Sequence, residues 1–130
     1  MSTAPLFAVV DDDAAMREAL AELLEVFDFD CRTYGGSQAF WTDHAPGLFV
    51  GLIADLNLPG ESGLQLLQRL RLIDPALPVI IITAQSDPVT RARIMASKPM
   101  ACLTNPIDAQ ALRRHLDDAL ARGATSGDIE

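Results

Sequence analysis

Five short apolar runs alternate along the chain with five segments of helical period. The runs are Leu6 to Val10, Phe29 to Tyr34, Phe49 to Ala54, Val79 to Thr83 and Met100 to Leu103. Runs of strand length separated by amphipathic segments are the pattern of an α/β domain with a parallel sheet. Phe49 to Ala54 and Val79-Ile80-Ile81-Ile82 are almost entirely apolar, which places them inside the sheet with both faces covered.

The helical segments differ in clarity. In the first, Met16, Leu20, Leu23, Leu24 and Phe27 fall on one stripe, with Arg17, Glu18, Glu22 and Glu25 opposite, and Asp13 is placed to cap it. A second spans Ser37 to His44, with Ser37 as its cap and Phe40 and Trp41 facing inward. The third follows Pro59-Gly60-Glu61-Ser62-Gly63, carries Leu64, Leu66, Leu67 and Leu70, and ends before Asp74-Pro75. The fourth, Asp87 to Ser97, opens on an N-cap followed by proline, and its stripe of Ile94 and Met95 is thin. The last is capped by Asp108 and carries Leu112, Leu116, Ala119 and Leu120; Gly123 to Glu130 reads as a frayed tail. The expected organisation is one domain over residues 1–122 and a tail over 123–130.

Five parallel strands alternating with helices favour the doubly wound, flavodoxin-like order 2-1-3-4-5, whose crevice lies at the carboxyl ends of strands one and three. Those two ends carry Asp11, Asp12 and Asp55. Thr83 ends the fourth strand and Asn105 lies just past the fifth, so both are expected at the same crevice. Carboxylates that close raise each other's pKa and cost several kcal/mol unless a positive charge sits among them. Mg²⁺ or Mn²⁺ would supply it: a hard cation takes oxygen ligands, keeps several waters, and is held by one or two carboxylates plus a phosphate. Asp12 and Asp55 are the direct ligands in this reading, Asp11 a water-mediated one, and the backbone carbonyl of Asn57 a neutral one. A carboxylate so placed can also attack phosphorus, with the Thr83 hydroxyl donating to a phosphoryl oxygen.

Composition narrows the function further. The chain has 130 residues, 49% hydrophobic and 22% charged, enough for one core without disulfides or structural metal. No apolar stretch approaches the roughly 20 residues a membrane helix needs, and the start lacks the basic region of a secretory signal. A soluble, cytoplasmic protein is expected. Net charge of −8 disfavours direct contact with nucleic acid or an anionic membrane. Cys31 and Cys102 have no metal-like spacing and are expected reduced and buried. Arg91, Arg93, Lys98, Arg113 and Arg114 read first as a solvated face, His44 and His115 as surface residues, and Trp41 as too remote from the crevice to report on it.

Taken in order and interval, Val9-Val10-Asp11-Asp12-Asp13, Asp55-Leu56-Asn57-Leu58-Pro59-Gly60 with Gly63, and Ile81-Ile82-Thr83-Ala84 resemble the receiver domain of two-component response regulators, over residues 5 to 122. The resemblance implies that Asp55 is the phosphoacceptor, that Asp11 and Asp12 hold Mg²⁺, that Thr83 is the switch hydroxyl, and that Ala84 is the small residue leaving access. It implies a signalling domain rather than an enzyme, within a bacterial phosphorelay. The phosphoryl donor would be a sensor histidine kinase or phosphotransfer protein. The output would go to a downstream protein, or to an output domain that is not read after residue 122, through the face of helix four, strand five and helix five. A weak homodimer through that face is allowed by the same likeness.

Two family positions are altered. The lysine that precedes a proline after strand five is replaced by Asn105, before Pro106, and the switch aromatic three residues earlier is Cys102. A positive charge about 4 Å from a phosphoryl oxygen is worth up to about 4 kcal/mol at an effective dielectric near 20, before desolvation. Asparagine replaces a hydrogen bond and not that charge. Lys98-Pro99 spells the lost dipeptide seven residues early, in the exit of helix four, and is read as a decoy. The expectation is retained metal binding with slow, unstable or weakly coupled phosphorylation. The alternative is a phosphorylation-independent receiver that works as a protein-binding module. A haloacid dehalogenase-like phosphatase, suggested by Asp11-x-Asp13, fits less well, because Ala15 stands where that family has Thr or Val.

Overall fold

The computed structural model describes residues 4–84 and 87–128, the last six by their backbone alone. In chain order the elements are β1 (Leu6–Val10), α1 (Ala14–Val26), β2 (Asp30–Tyr34), α2 (Ser37–Asp43), β3 (Gly51–Asp55), α3 (Gly63–Ile73), β4 (Val79–Thr83), α4 (Pro88–Ala96), β5 (Ala101–Thr104) and α5 (Ala109–Asp128). All strand pairs are parallel and the order is β2-β1-β3-β4-β5, the doubly wound arrangement the pattern predicts.

The period of two along each strand divides the core. Phe7, Val9, Ile53, Ile80 and Ile82 point to the side of Leu20 and Leu24 of α1 and Leu112 and Leu116 of α5. Ala8, Val10, Leu52, Ala54 and Ile81 point to the other, where Phe40 of α2, Leu66, Leu67 and Leu70 of α3 and Ile94 of α4 meet them. Both faces are therefore covered, and β4 is buried along its whole length. Fully burying one such side chain stabilises by about 1.5–3 kcal/mol, so the sheet is a rigid base for whatever stands at its ends.

Several boundaries differ from the sequence reading, each for a local reason. Phe29 is buried but precedes β2, because it closes α1: its N–H donates to the Leu24 carbonyl at 2.9 Å and the Asp28 N–H to Glu25 at 3.0 Å. With Asp28 left-handed at φ 68°, this is a Schellman stop in which Phe29 also packs near Leu24. Phe49 is likewise buried ahead of β3, and β5 runs one residue further, to Thr104. Asp13 and Asp87 cap α1 and α4 as expected, through the N–H groups of Ala15 and of Val89 and Thr90.

Ser37, expected to cap α2, is instead its first helical residue and is buried, with Gly36 in the cap position and no side-chain cap. Met95 and Leu120, assigned to inner stripes, are exposed; Ile94 alone of α4 is fully buried, and Leu112, Leu116 and Ala119 suffice to seat α5. α5 continues to Asp128 through the expected tail, extending a helix already nucleated by its packed turns.

Candidate functional site

The carboxyl ends of β1 and β3, paired as Val10 with Ala54, bring Asp11, Asp12 and Asp55 together. Their carboxylate oxygens offer three ligand atoms that all lie within 4.8 Å of one another. Asp11 is buried, Asp55 half-buried and Asp12 exposed, so the group opens outward from the sheet. Asp11 is fixed from both sides: its carboxylate accepts the Asp13 N–H at 2.9 Å, and its backbone carbonyl accepts the Arg17 guanidinium at 2.7 Å. Arg17, which the helical pattern placed on the polar face of α1, is thus half-buried beside the site; its position one turn into α1 was the available signal.

Burial pushes the carboxyl of Asp55 above its ordinary value of 3.8, and the negative charges of Asp11 and Asp12 push it further, against the N–H groups of Asn57 and Leu56. Asp11 is raised as well, by burial first and then by Asp12 and Asp13, with the Asp13 N–H and Arg17 opposing. Two buried or half-buried acids, each raised by burial and by neighbouring carboxylates, form a donor set suited to a hard divalent cation, which needs oxygen ligands and gains from concentrated negative charge.

The loop from β3 to α3 carries Asn57, whose N–H donates to the Asp55 carboxylate at 3.3 Å. The loop is pinned inward by Leu56 and Leu58, both buried, and by the Leu56 N–H on the Ile82 carbonyl at 2.8 Å. Gly60 takes a left-handed φ of 75°. Gly63 sits directly against Asp55: a Cβ there would overlap the Asp55 carbonyl oxygen and lie 2.8 Å from the Leu56 Cα. Both glycines therefore have backbone reasons to be glycine, and that of Gly63 is the approach of α3 to the residue after β3.

Thr83, at the end of β4, is buried, and Ala84 after it is exposed. Asn105 is half-buried past β5; its N–H donates to the Thr83 carbonyl at 2.9 Å, and its bond to Pro106 is cis. Every residue assigned to the crevice from the sequence thus comes from an element ending at one edge of the sheet. Lys98 does not join them. It is the left-handed residue (φ 58°) that stops α4, ahead of the amino end of β5, so a strand of four residues, about 13 Å at 3.3 Å each, separates it from the Asn105 end. Cys102 is buried in the core beneath α4, and its carbonyl accepts from Arg91 at 3.4 Å.

His44, read as a surface residue, is the clearest correction away from the crevice. Its side chain is only 5% exposed and its Nε2 lies 3.0 Å from the Asp74 carboxylate. The spacing of four from the inward Phe40 was the signal, since residues four apart share a helix face. Among the described residues no helix is long and apolar enough to cross a membrane.

Comparison with known proteins agrees with this geometry. Residues 7–117 match the response regulator receiver domain family. The transcriptional regulatory protein FixJ of Bradyrhizobium diazoefficiens is 30% identical over 131 residues, covering all of this chain and 63% of that protein. The DNA-binding transcriptional regulator NtrC of Azospirillum brasilense is 32% identical over 120 residues, 92% of this chain and 25% of that one. The chain therefore spans from a quarter to somewhat under two thirds of these relatives. Among solved structures, the response regulator StyR superposes with a TM-score of 0.87 at 30% identity, over 98% of this chain and 64% of that one. A response regulator from Chloroflexus aurantiacus does so with 0.84 at 26%, over 92% and 99%. With its strand order, its acidic crevice and a family match across most of its length, the chain belongs to the response regulator receiver domains of two-component systems.

Proposed function

We propose that this receiver accepts a phosphoryl group on Asp55, with Mg²⁺ or Mn²⁺ held by Asp11, Asp12, Asp55 and the carbonyl of Asn57, and that the reaction is slower, or its product shorter lived, than in receivers that keep the lysine. The observation that carries the reading is the convergence of three carboxylates within 4.8 Å. A bound divalent cation would offset the charge of the incoming phosphoryl group. Asp55 supplies the attacking oxygen and the electron pair of the new O–P bond, the bond from phosphorus to the donor breaks with its electron pair staying on the donor, and an acyl phosphate is left on the carboxylate. Thr83, at the end of β4, would donate its hydroxyl to a phosphoryl oxygen, and the small Ala84 beside it leaves that approach open.

Asn105 occupies the end of β5 from which a lysine would reach the phosphoryl group. It offers an amide donor without charge, so an acyl phosphate here lacks one electrostatic restraint. Cys102, buried where a switch aromatic would turn between solvent and core, lacks a ring to move. Those two substitutions favour a second reading, a receiver that binds partners whatever the state of Asp55. In either case the partners are a histidine kinase or phosphotransfer protein and a downstream protein or output domain, in the cytoplasm. Contact between copies through α4, β5 and α5 would be weak.

Intact mass after incubation with Mg²⁺ and acetyl phosphate tests the proposal. The expected result is one phosphate adduct in the wild type, none in Asp55→Asn, and a faster or longer-lived adduct in Asn105→Lys. No adduct in the wild type or in Asn105→Lys would transfer the case to the phosphorylation-independent module.

A further inference from the structure

The loop that carries Asn57 is held on its outer side by a contact that belongs to neither strand nor helix. Glu61, two residues before α3, accepts the Trp41 indole N–H from α2 on one carboxylate oxygen, at 2.9 Å, and the Arg69 guanidinium from α3 on the other, at 3.0 Å. Arg69 closes the triangle by lying 4.4 Å from the centre of the Trp41 ring. The Glu61 side chain is only 17% exposed. Burial raises its carboxyl, but hydrogen bonds from Trp41, Arg69 and Ser37 outweigh that and hold it below its ordinary value of 4.5.

The buried Ser37 noted at the start of α2 thus faces the same carboxylate, and three side chains from two helices converge on one loop residue. A surface ion pair between Glu61 and Arg69 alone would be worth little. The indole N–H and the aromatic face make this a fixed cluster. Such a cluster restrains the direction in which the loop can move, because Glu61 lies only four residues from Asn57 and the intervening chain is tied inward at Leu58.

We infer that Glu61, strapped to Trp41 and Arg69, is a positioning residue that sets the Asn57 carbonyl for the divalent cation and couples metal binding to the environment of Trp41. This deepens the proposed metal-dependent function and rests on it. Groups that orient a metal's ligands typically contribute about 10–100-fold to affinity. Here one neutral ligand of several is affected, so the lower end applies.

The test is titration of the intact chain with MgCl₂ by calorimetry, well below the melting temperature, with Trp41 emission followed in parallel. The wild type is expected to bind and to change its emission; Asp12→Ala should abolish both. Glu61→Ala should weaken binding about tenfold. Glu61→Gln, which keeps an acceptor for the indole and guards against a folding defect, should weaken it less. Wild-type affinity in a folded Glu61→Ala, within about twofold, would overturn the positioning role and leave the metal site standing. Absence of binding in the wild type would overturn both, and an emission change that persists in Asp12→Ala would break the link between Trp41 and the site.

Discussion

At the scale of residues, the crevice keeps acids where the fold alone would not want them. Asp11 and Asp55 both have raised pKa values in the metal-free protein, so the folded state holds their protons more tightly than the unfolded chain. That contribution to stability is present in full below the ordinary 3.8 and is lost as pH rises through the raised values. As pH rises through those raised values, burial and repulsion from the neighbouring acids count increasingly against folding. Asp55→Asn removes one charge and keeps an oxygen to accept the Asn57 N–H. It should therefore stabilise the metal-free protein at pH 7 by about 1 kcal/mol or more, and by nothing at pH 3. Thermal melts at the two pH values decide it, and an equal or larger gain at pH 3 would refute it. The opposite sign holds for Glu61, whose lowered carboxyl contributes stability above its unfolded pKa that is lost as pH falls through the folded one. Asp11, Asp12, Asp55, Thr83 and Asn105 were legible in the sequence because each ends or follows an apolar run, and a parallel sheet collects such ends at one edge. Glu61, Trp41 and Arg69 were not, since a contact among three elements leaves no period in the chain.

At the scale of elements, the order of the strands and the site they carry were legible, while caps and edges were misread where packing overrode pattern. Phe29 looks like strand by its apolar character and is in fact the closing residue of α1; Ser37 looks like a cap and is buried against the loop after β3. α2 illustrates why. It is short, Phe40 is its one fully buried apolar side chain, and side-chain hydrogen bonds hold the rest: Tyr34 to Asp43 at 2.8 Å, Trp41 to Glu61 at 2.9 Å and, just past its end, His44 to Asp74 at 3.0 Å. Gly63 at the head of α3 separates propensity from packing. Alanine is the better helix former by about 1 kcal/mol, so Gly63→Ala would stabilise α3 if propensity decided. The added methyl would meet backbone atoms of Asp55 and Leu56, which cannot swing aside. Overpacking of this kind costs about 1–3 kcal/mol, so Gly63→Ala should lower the denaturation midpoint and weaken Mg²⁺ binding together. A variant more stable than the wild type would show that α3 can retreat from Asp55.

At the scale of the whole molecule, charge decides how the domain responds to ions. A net charge of −8 on 130 residues makes any added salt mildly favourable by screening. A divalent cation bound at the crevice acts differently, because it binds the folded chain and relieves a local repulsion that the unfolded chain does not have. At 100 times its dissociation constant, a ligand of the native state alone adds about 2.7 kcal/mol, or roughly 5–10 °C in melting temperature for a domain of this size. MgCl₂ should therefore raise the melting temperature of the wild type well beyond NaCl at equal ionic strength, with the rise saturating. In Asp12→Ala the two salts should act alike. In Asp55→Asn the Mg²⁺-dependent rise should shrink, and part of it should already be present without metal, since that substitution removes one of the charges the cation would neutralise. A melting temperature that follows ionic strength alone in all three proteins would mean that the acids at the ends of β1 and β3 are a solvated edge and not a metal centre.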